Sequence, residues 1–233
     1  MHFDFDVIIA GAGAVGSCLA YDCALKGLSV LIVEKEKSFG QGVSSRSSEV
    51  IHAGIYYKKN SLKSKLCIEG KSLLYDFCDL NNVPYKRLGK YIIAKSETQD
   101  IRLREIYANG TNCGVTDLVY LNSKKLQNTK LKNCFSAIFS PSTGIIDSHE
   151  FMSRLIALSQ DLGASVVFNT EVKSVRARNG FSDVIFSDGY ELKCKYFINA
   201  AGLGAVNLAK NIEGIDLSRV PKNRLVKGNY FKT

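Results

Sequence analysis

Three glycines and an acid near the start of the chain are placed to do chemistry on a dinucleotide. Gly11, Gly13 and Gly16 stand in the spacing G-x-G-x-x-G, directly after the apolar run FDVIIA. They lead into SCLAYDCALKG, whose apolar residues recur at helical spacing until Gly27 stops them. SVLIVEK follows, and its apolar run ends on Glu34. In a strand–turn–helix–strand unit, Gly11 permits the tight turn, Gly13 lets backbone approach a pyrophosphate, and Gly16 lets the helix pack close to the strand. The phosphates then sit at the positive helix N-terminus, and Glu34 accepts hydrogen bonds from ribose hydroxyls. An acid at position 34 disfavours a 2′-phosphate, which argues against NADP. These residues do not separate NAD from FAD.

The stretch Ser44–Tyr57, SSRSSEVIHAGIYY, sets serines, Arg46, Glu49 and His52 against apolar and aromatic residues where an NAD enzyme would start its next helix. An imidazole titrates near neutral pH and suits a general base, whereas its alternative reading is a neutral packing histidine or a tether. Arg46 and Lys227 are both able to meet a substrate carboxylate. Arg46 has phosphate or Glu49 as alternative partners.

Around these residues the chain reads as an α/β fold with inserted antiparallel strands. Residues 62–79 predict an amphipathic helix, 90–94 a strand, and ETQDIRLREIYANG a second helix capped by Gly110. Asp147 or Ser148 is placed near the N-cap of a third helix, which Gly163 closes. His149 reads as a helix-start residue. ASVVFN, EVKSVRAR, FSDVIFSD and KYFINAA predict strands joined by NG and DG turns, a three-stranded antiparallel excursion returning to the central sheet. The formal charge is +9, but the basic residues come as singles and pairs without a nucleic-acid signature, so no nucleic acid is expected. Seven cysteines without a C-x-x-C pair, zinc-finger spacing or secretory signal read as reduced thiols of a cytoplasmic protein, with no metal; Cys67 and Cys78 read as inert.

DVIIAGAGAVGS, SSRSSEVIHAGIYY, SPSTGIIDSHEFM, FINAAGLGA and KGNYF, in this order from Phe5 to Phe231, resemble the FAD-dependent oxidoreductases of the D-amino-acid oxidase superfamily. The segments are most like those of its L-2-hydroxyglutarate dehydrogenase/oxidase branch. The resemblance implies FAD as cofactor and a Rossmann-like FAD-binding domain with a three-layer sheet, over 1–80 and 145–215. It also implies part of a substrate-binding domain, over 81–144 and 216–233. Gly11, Gly13, Gly16 and Glu34 then match the ADP cradle. Ser44, Ser45 and Arg46 match the segment along the pyrophosphate and ribityl chain, and His52, Ala53 and Gly54 the turn beside the flavin ring. Val172 matches the backbone against adenine, and Ala200, Ala201 and Gly202 match a third contact. Ser48-Glu49 departs from the family pattern.

The implied activity is oxidation of the CH–OH group of a 2-hydroxy acid, L-2-hydroxyglutarate to 2-oxoglutarate, with His52 as base and oxygen or a membrane quinone as acceptor. A quinone would add a peripheral contact at the inner membrane face. Relatives acting on glycerol 3-phosphate or amines share the fingerprint. Members of the superfamily continue past the position of Thr233, so the chain is expected to be an N-terminal portion. It would then either need a separately encoded C-terminal half or be non-catalytic.

Overall fold

The computed structural model describes residues 2–127 and 129–228. In chain order its strands are β1 Phe5–Ala10, β2 Val30–Val33, β3 Val50–Ile51, β4 Tyr85–Lys86, β5 Lys90–Ala94, β6 Val119–Asn122, β7 Ser136–Ser140, β8 Gly144–Ile146, β9 Ser165–Val167, β10 Val172–Arg178, β11 Phe181–Phe186, β12 Glu191–Asn199 and β13 Ile212–Glu213. The helices are α1 Ala14–Leu25, α2 Leu62–Asn81, α3 Glu97–Asn112, α4 Ser123–Leu126, α5 Ser148–Asp161 and α6 Ala205–Lys210. Two compact units result: the segment up to Arg46 together with that from Met152 onward, and the segment Ser47–Phe151 between them.

The first unit is a seven-stranded sheet in the order β13-β10-β11-β12-β1-β2-β9. β1, β2, β9 and the end of β12 run parallel, and β10, β11 and β12 form the antiparallel excursion expected from the sequence. All four residues of β2 and the last four of β1 are buried, as strands covered on both faces require. Alternation sorts them. Val7, Ile9, Val30 and Ile32 pack with Ala20 and Ala24 of α1, while Ile8, Leu31 and Val33 pack with Val175, Val184 and Phe186 of the excursion. Helix α1 thus covers one side of β1 and β2, and side chains of the excursion strands join the core on the other; each fully buried Ile or Val contributes about 2 kcal/mol of transfer free energy.

The second unit holds two small antiparallel sheets, β3-β8-β4 and β5-β7-β6. The first pairs two segments that the sequence marked separately, with Val50 opposite Ile145 and Ile51 opposite Gly144. Gly144 is required there because a Cβ would lie 2.3 Å from the Tyr75 hydroxyl and 2.6 Å from the Lys86 carbonyl oxygen. α2 buries Tyr75 and Cys78 against Ile51, Val83 and Ile146. Consequently residues 47–80 and 145–151 pack in this unit, although the sequence grouped them with the nucleotide-binding part. α2 is also not simply amphipathic: Leu62, Leu66, Leu73 and Leu80 lie on its opposite face and are 55–80% exposed.

α3 differs from expectation at its end. Gly110 does not cap it; the helix continues to Asn112 with Cys113 at its C-cap. Gly110 is needed for close packing instead, since a Cβ would lie 2.7 Å from Leu118 Cδ1 and 3.3 Å from Ile55 Cγ2. The buried Asp100 of the same helix accepts hydrogen bonds from Ser136 Oγ, from Tyr120 Oη at 2.5 Å and from Arg104 Nε at 2.8 Å. Burial raises its pKa, but these three donors outweigh burial and the carboxyl titrates below its ordinary value. Asp100→Ala leaves two hydroxyls and a guanidinium short of a partner. It is expected to lower the unfolding free energy by about 3 kcal/mol in a urea titration.

Candidate functional site

The turn between β1 and α1 is assembled by contacts in which a side chain is either absent or a direct strut. Gly11 has φ +107°, where an L side chain is strained, and a Cβ on it would lie 2.5 Å from the carbonyl oxygen of Ala200. A Cβ on Gly16 would lie 1.9 Å from the Gly11 carbonyl oxygen. The bare strip therefore lets α1 and the chain after β12 close onto the turn. Ala200 N–H donates to Ala10 O at 2.9 Å, which sets Ala200 and Ala201 beside Gly11.

Helix α1 begins at Gly13 without a side-chain cap of its own. Ser44 supplies one from a distance: its Oγ accepts from Ala14 N–H at 3.0 Å, leaving its own proton free to donate. A Cβ at Gly13 would meet that same oxygen at 2.9 Å. Ser17, in the first turn of α1, is fully buried, and its Oγ has no hydrogen-bond partner among the described residues. An orphan hydroxyl of this kind costs about 1–3 kcal/mol unless an incoming polar atom satisfies it.

Glu34 stands at the end of β2 with both oxygens engaged. Oε2 accepts from Ala12 N–H at 2.8 Å and Oε1 from Glu36 N–H at 3.0 Å. Each oxygen keeps a second lone pair, so the carboxylate holds the glycine turn and can still accept from a hydroxyl pair. The strut to Ala12 was not legible in the sequence, where Glu34 was read only as a ligand group. Thr170 N–H donates to the Glu34 carbonyl at 3.0 Å, which brings the start of β10, and with it half-buried Val172, alongside. Bare glycine backbone, a helix N-terminus, a fixed carboxylate and a capping hydroxyl are the donor set that a diphosphate and a ribose diol need. The residues present therefore fit the ADP half of a dinucleotide.

The other expected residues are placed with less company. Ser45 stabilises its own turn, its N–H donating to Gly40 O at 3.1 Å and its hydroxyl to Gly42 O at 3.2 Å. Arg46 and Lys227 are exposed and form no ion pair among the described residues. Gly202, at φ +54°, opens the short turn before α6. Asn229–Phe231 of the KGNYF segment lie outside the described residues.

In the second unit the loop after β3 is rigidly held. Ala53 and Ile55 point into a core with Leu103, Val115 and Ile138. Asn109 Nδ2 donates to the carbonyls of Ile55 and Tyr57 at 2.9 and 3.1 Å, and Cys113 Sγ reaches Tyr57 O at 3.3 Å. Cys67, read as an inert thiol, contributes a weak hydrogen bond of 3.5 Å to His52 O. Gly54 has φ +94° against Ile68. His52 and Tyr56 alternate outward and are exposed. Partial burial, followed by the charges of Lys90 and Lys63, holds the His52 imidazole below its ordinary pKa of 6.5. These surroundings favour the neutral ring, the form able to accept a proton. Glu49, the departure from the family pattern, accepts from Ser148 Oγ at 2.6 Å and from Ser148 N–H at 3.2 Å, capping α5. Lys63 and Lys90 carried no local signal in the sequence.

Comparison with known proteins bears on this cradle directly. The family profile described as DAO, FAD dependent oxidoreductase, matches residues 6–233. The mitochondrial L-2-hydroxyglutarate dehydrogenase of Arabidopsis thaliana is 34% identical over 97% of this chain and 53% of its own length. That of Mus musculus is 36% identical over 95% and 53%. Thus the chain spans about half the length of the curated relatives it matches. Among solved structures, the FAD-bound L-α-glycerophosphate oxidase of Mycoplasma pneumoniae superposes with a TM-score of 0.83 at 25% identity, covering 89% of this chain and 56% of that one. Glycine oxidase of Geobacillus kaustophilus shares the fold, with a TM-score of 0.79 at 19% identity, covering 90% and 58%. The glycine turn and its carboxylate fit the cofactor in the family's description, and the match runs nearly end to end: the chain belongs to the DAO family of FAD-dependent oxidoreductases.

Proposed function

We propose that this chain forms the FAD-binding portion of an oxidoreductase that converts L-2-hydroxyglutarate to 2-oxoglutarate. The observation that supports it best is the similarity to L-2-hydroxyglutarate dehydrogenases across 95–97% of the chain. Gly11, Gly13, Gly16, Glu34, Ser44, Ala201 and Gly202 would hold the diphosphate and ribose, with Ser45 and Arg46 further along the cofactor and Val172 at the adenine. FAD, when bound, would supply the two-electron acceptor for the C2 hydride of the substrate. His52 would take the hydroxyl proton, so that the alcohol-to-ketone step gives up one hydride and one proton, two electrons and two protons in all. Arg46 and Lys227 are further candidates for the substrate carboxylates.

The functional division assigns 1–80 and 145–215 to the cofactor and 81–144 with 216–233 to the substrate. It need not coincide with the packing units, because a loop can serve the cofactor while its core lies elsewhere. No helix among the described residues is long and apolar enough to cross a membrane. The proposal places a quinone acceptor at a membrane surface.

The test is anaerobic addition of L-2-hydroxyglutarate to the FAD-loaded protein. Loss of the flavin band near about 450 nm is expected. Reduction by glycerol 3-phosphate but not by the hydroxy acid would replace this reading with the glycerophosphate one.

A further inference from the structure

The loop Ala53–Tyr57 and strand β5 line a small pocket whose polar members are His52, Tyr56, Tyr57 and Lys90. Lys90 lines it, and a second ammonium group, that of Lys63, lies over the ring of one of its tyrosines. Lys90 Nζ, at the start of β5, lies 4.6 Å from the centroid of the Tyr56 ring. Lys63 Nζ, from the first turn of α2, lies 4.8 Å from that of Tyr57. Neither forms an ion pair with a carboxylate among the described residues, whereas Lys26 and Lys195 are paired with Asp22 and Asp6 at 2.5 and 2.6 Å. Both charges are felt at the His52 imidazole. Gathering two cations and an imidazole without an acid is electrostatically unfavourable, and an anion of the ligand reverses the sign of that interaction. The aromatic faces meanwhile hold each ammonium in place at little cost in solvation.

We propose that Lys90, assisted by Lys63, is the carboxylate-binding residue of the substrate pocket, receiving one carboxylate of a dicarboxylic 2-hydroxy acid beside His52. This rests on the function proposed above and names the residue that would make it selective for an acid. The compact lysine charge acts as a point partner, without the bidentate fork that Arg46 would offer.

The experiment is a titration of the whole protein, with histidine isotopically labelled, by L-2-hydroxyglutarate, following the His52 ring resonances. A saturable shift is expected in wild type. Lys90→Met should weaken it about tenfold or more, and Lys63→Met by a smaller factor. Lys90→Arg, which keeps the charge, should retain binding within about fivefold, and Lys125→Met, on an exposed remote lysine, should change nothing. The ring shift does not depend on turnover. A shift lost in Lys90→Met without flavin reduction would leave the site standing and remove the redox reading. Flavin reduction with an unchanged KM in Lys90→Met would do the reverse. The inference is overturned if wild type shows no saturable shift, if Lys90→Met binds within twofold of wild type, or if glycerol 3-phosphate binds more tightly than the hydroxy acid.

Discussion

Gly16→Ala is expected to lower the affinity for FAD by about 100-fold or more, equivalent to about 3 kcal/mol, and to reduce thermal stability as well. The added methyl would sit 1.9 Å from the Gly11 carbonyl oxygen, a backbone atom that cannot rotate aside. Gly11 is itself confined, with φ +107° and the Ala200 carbonyl against its other side. α1 must therefore lift off the sheet, which carries the first-turn N–H groups away from where phosphate would lie and loosens Ala20 and Ala24 from Val7, Ile9 and Ile32. Overpacking alone costs about 1–3 kcal/mol. Gly70→Ala makes the contrast: it lies inside α2, where a Cβ meets nothing within 4 Å, and is expected to stabilise by about 0.5–1 kcal/mol. Flavin titration with a thermal melt of both variants checks the pair. Equal FAD affinity in Gly16→Ala and wild type would remove the turn as the cofactor cradle.

His52→Ala is expected to slow flavin reduction by about 100-fold or more while leaving FAD bound, because a positioned general base contributes about 10²–10⁴. The loop should survive the change. Its backbone is held by Asn109, and Ala53 and Ile55 anchor it in the core. The pH dependence follows from the same surroundings. Burial, Lys90 and Lys63 lower the imidazole pKa, so the proton leaves at lower pH and the base form persists below the ordinary 6.5. The wild-type rate should accordingly rise with pH through a value below 6.5. Stability follows the same sign: the folded protein binds this proton less readily than the unfolded chain, so a contribution is lost as pH falls below 6.5, and His52→Ala lacks that loss. A rate within about threefold of wild type, measured by stopped flow with the complete protein, would remove His52 as base.

Local patterns were legible where local physics decides them. The βαβ unit around Gly11–Glu34 was readable because periodicity switches from strand to helix and back within a few turns. The β5 strand, residues 90–94, and the excursion of β10, β11 and β12 carried alternation and turn residues of their own. Gly110 was misread because a glycine near a helix end looks like a cap, whereas its real constraint comes from Leu118 and Ile55, distant in sequence. Pairing of Val50 with Ile145 across two segments has no local signature. The same holds for the Ser44 hydroxyl that caps α1 and the Glu34 strut to Ala12. The lysines flanking His52 were invisible for a different reason: a lysine opening a strand looks like any solvated charge until the fold brings a second one beside the same ring pair.

The central claim, that the turn from Gly11 to Gly16 with Glu34 and Ser44 holds FAD, is tested most directly by purifying the protein, releasing any bound cofactor by denaturation and identifying it by chromatography and mass. FAD, with flavin bands near about 370 and 450 nm in the native spectrum, is the predicted result. Bound NAD or FMN in its place, or no flavin even after saturation with FAD, would contradict it.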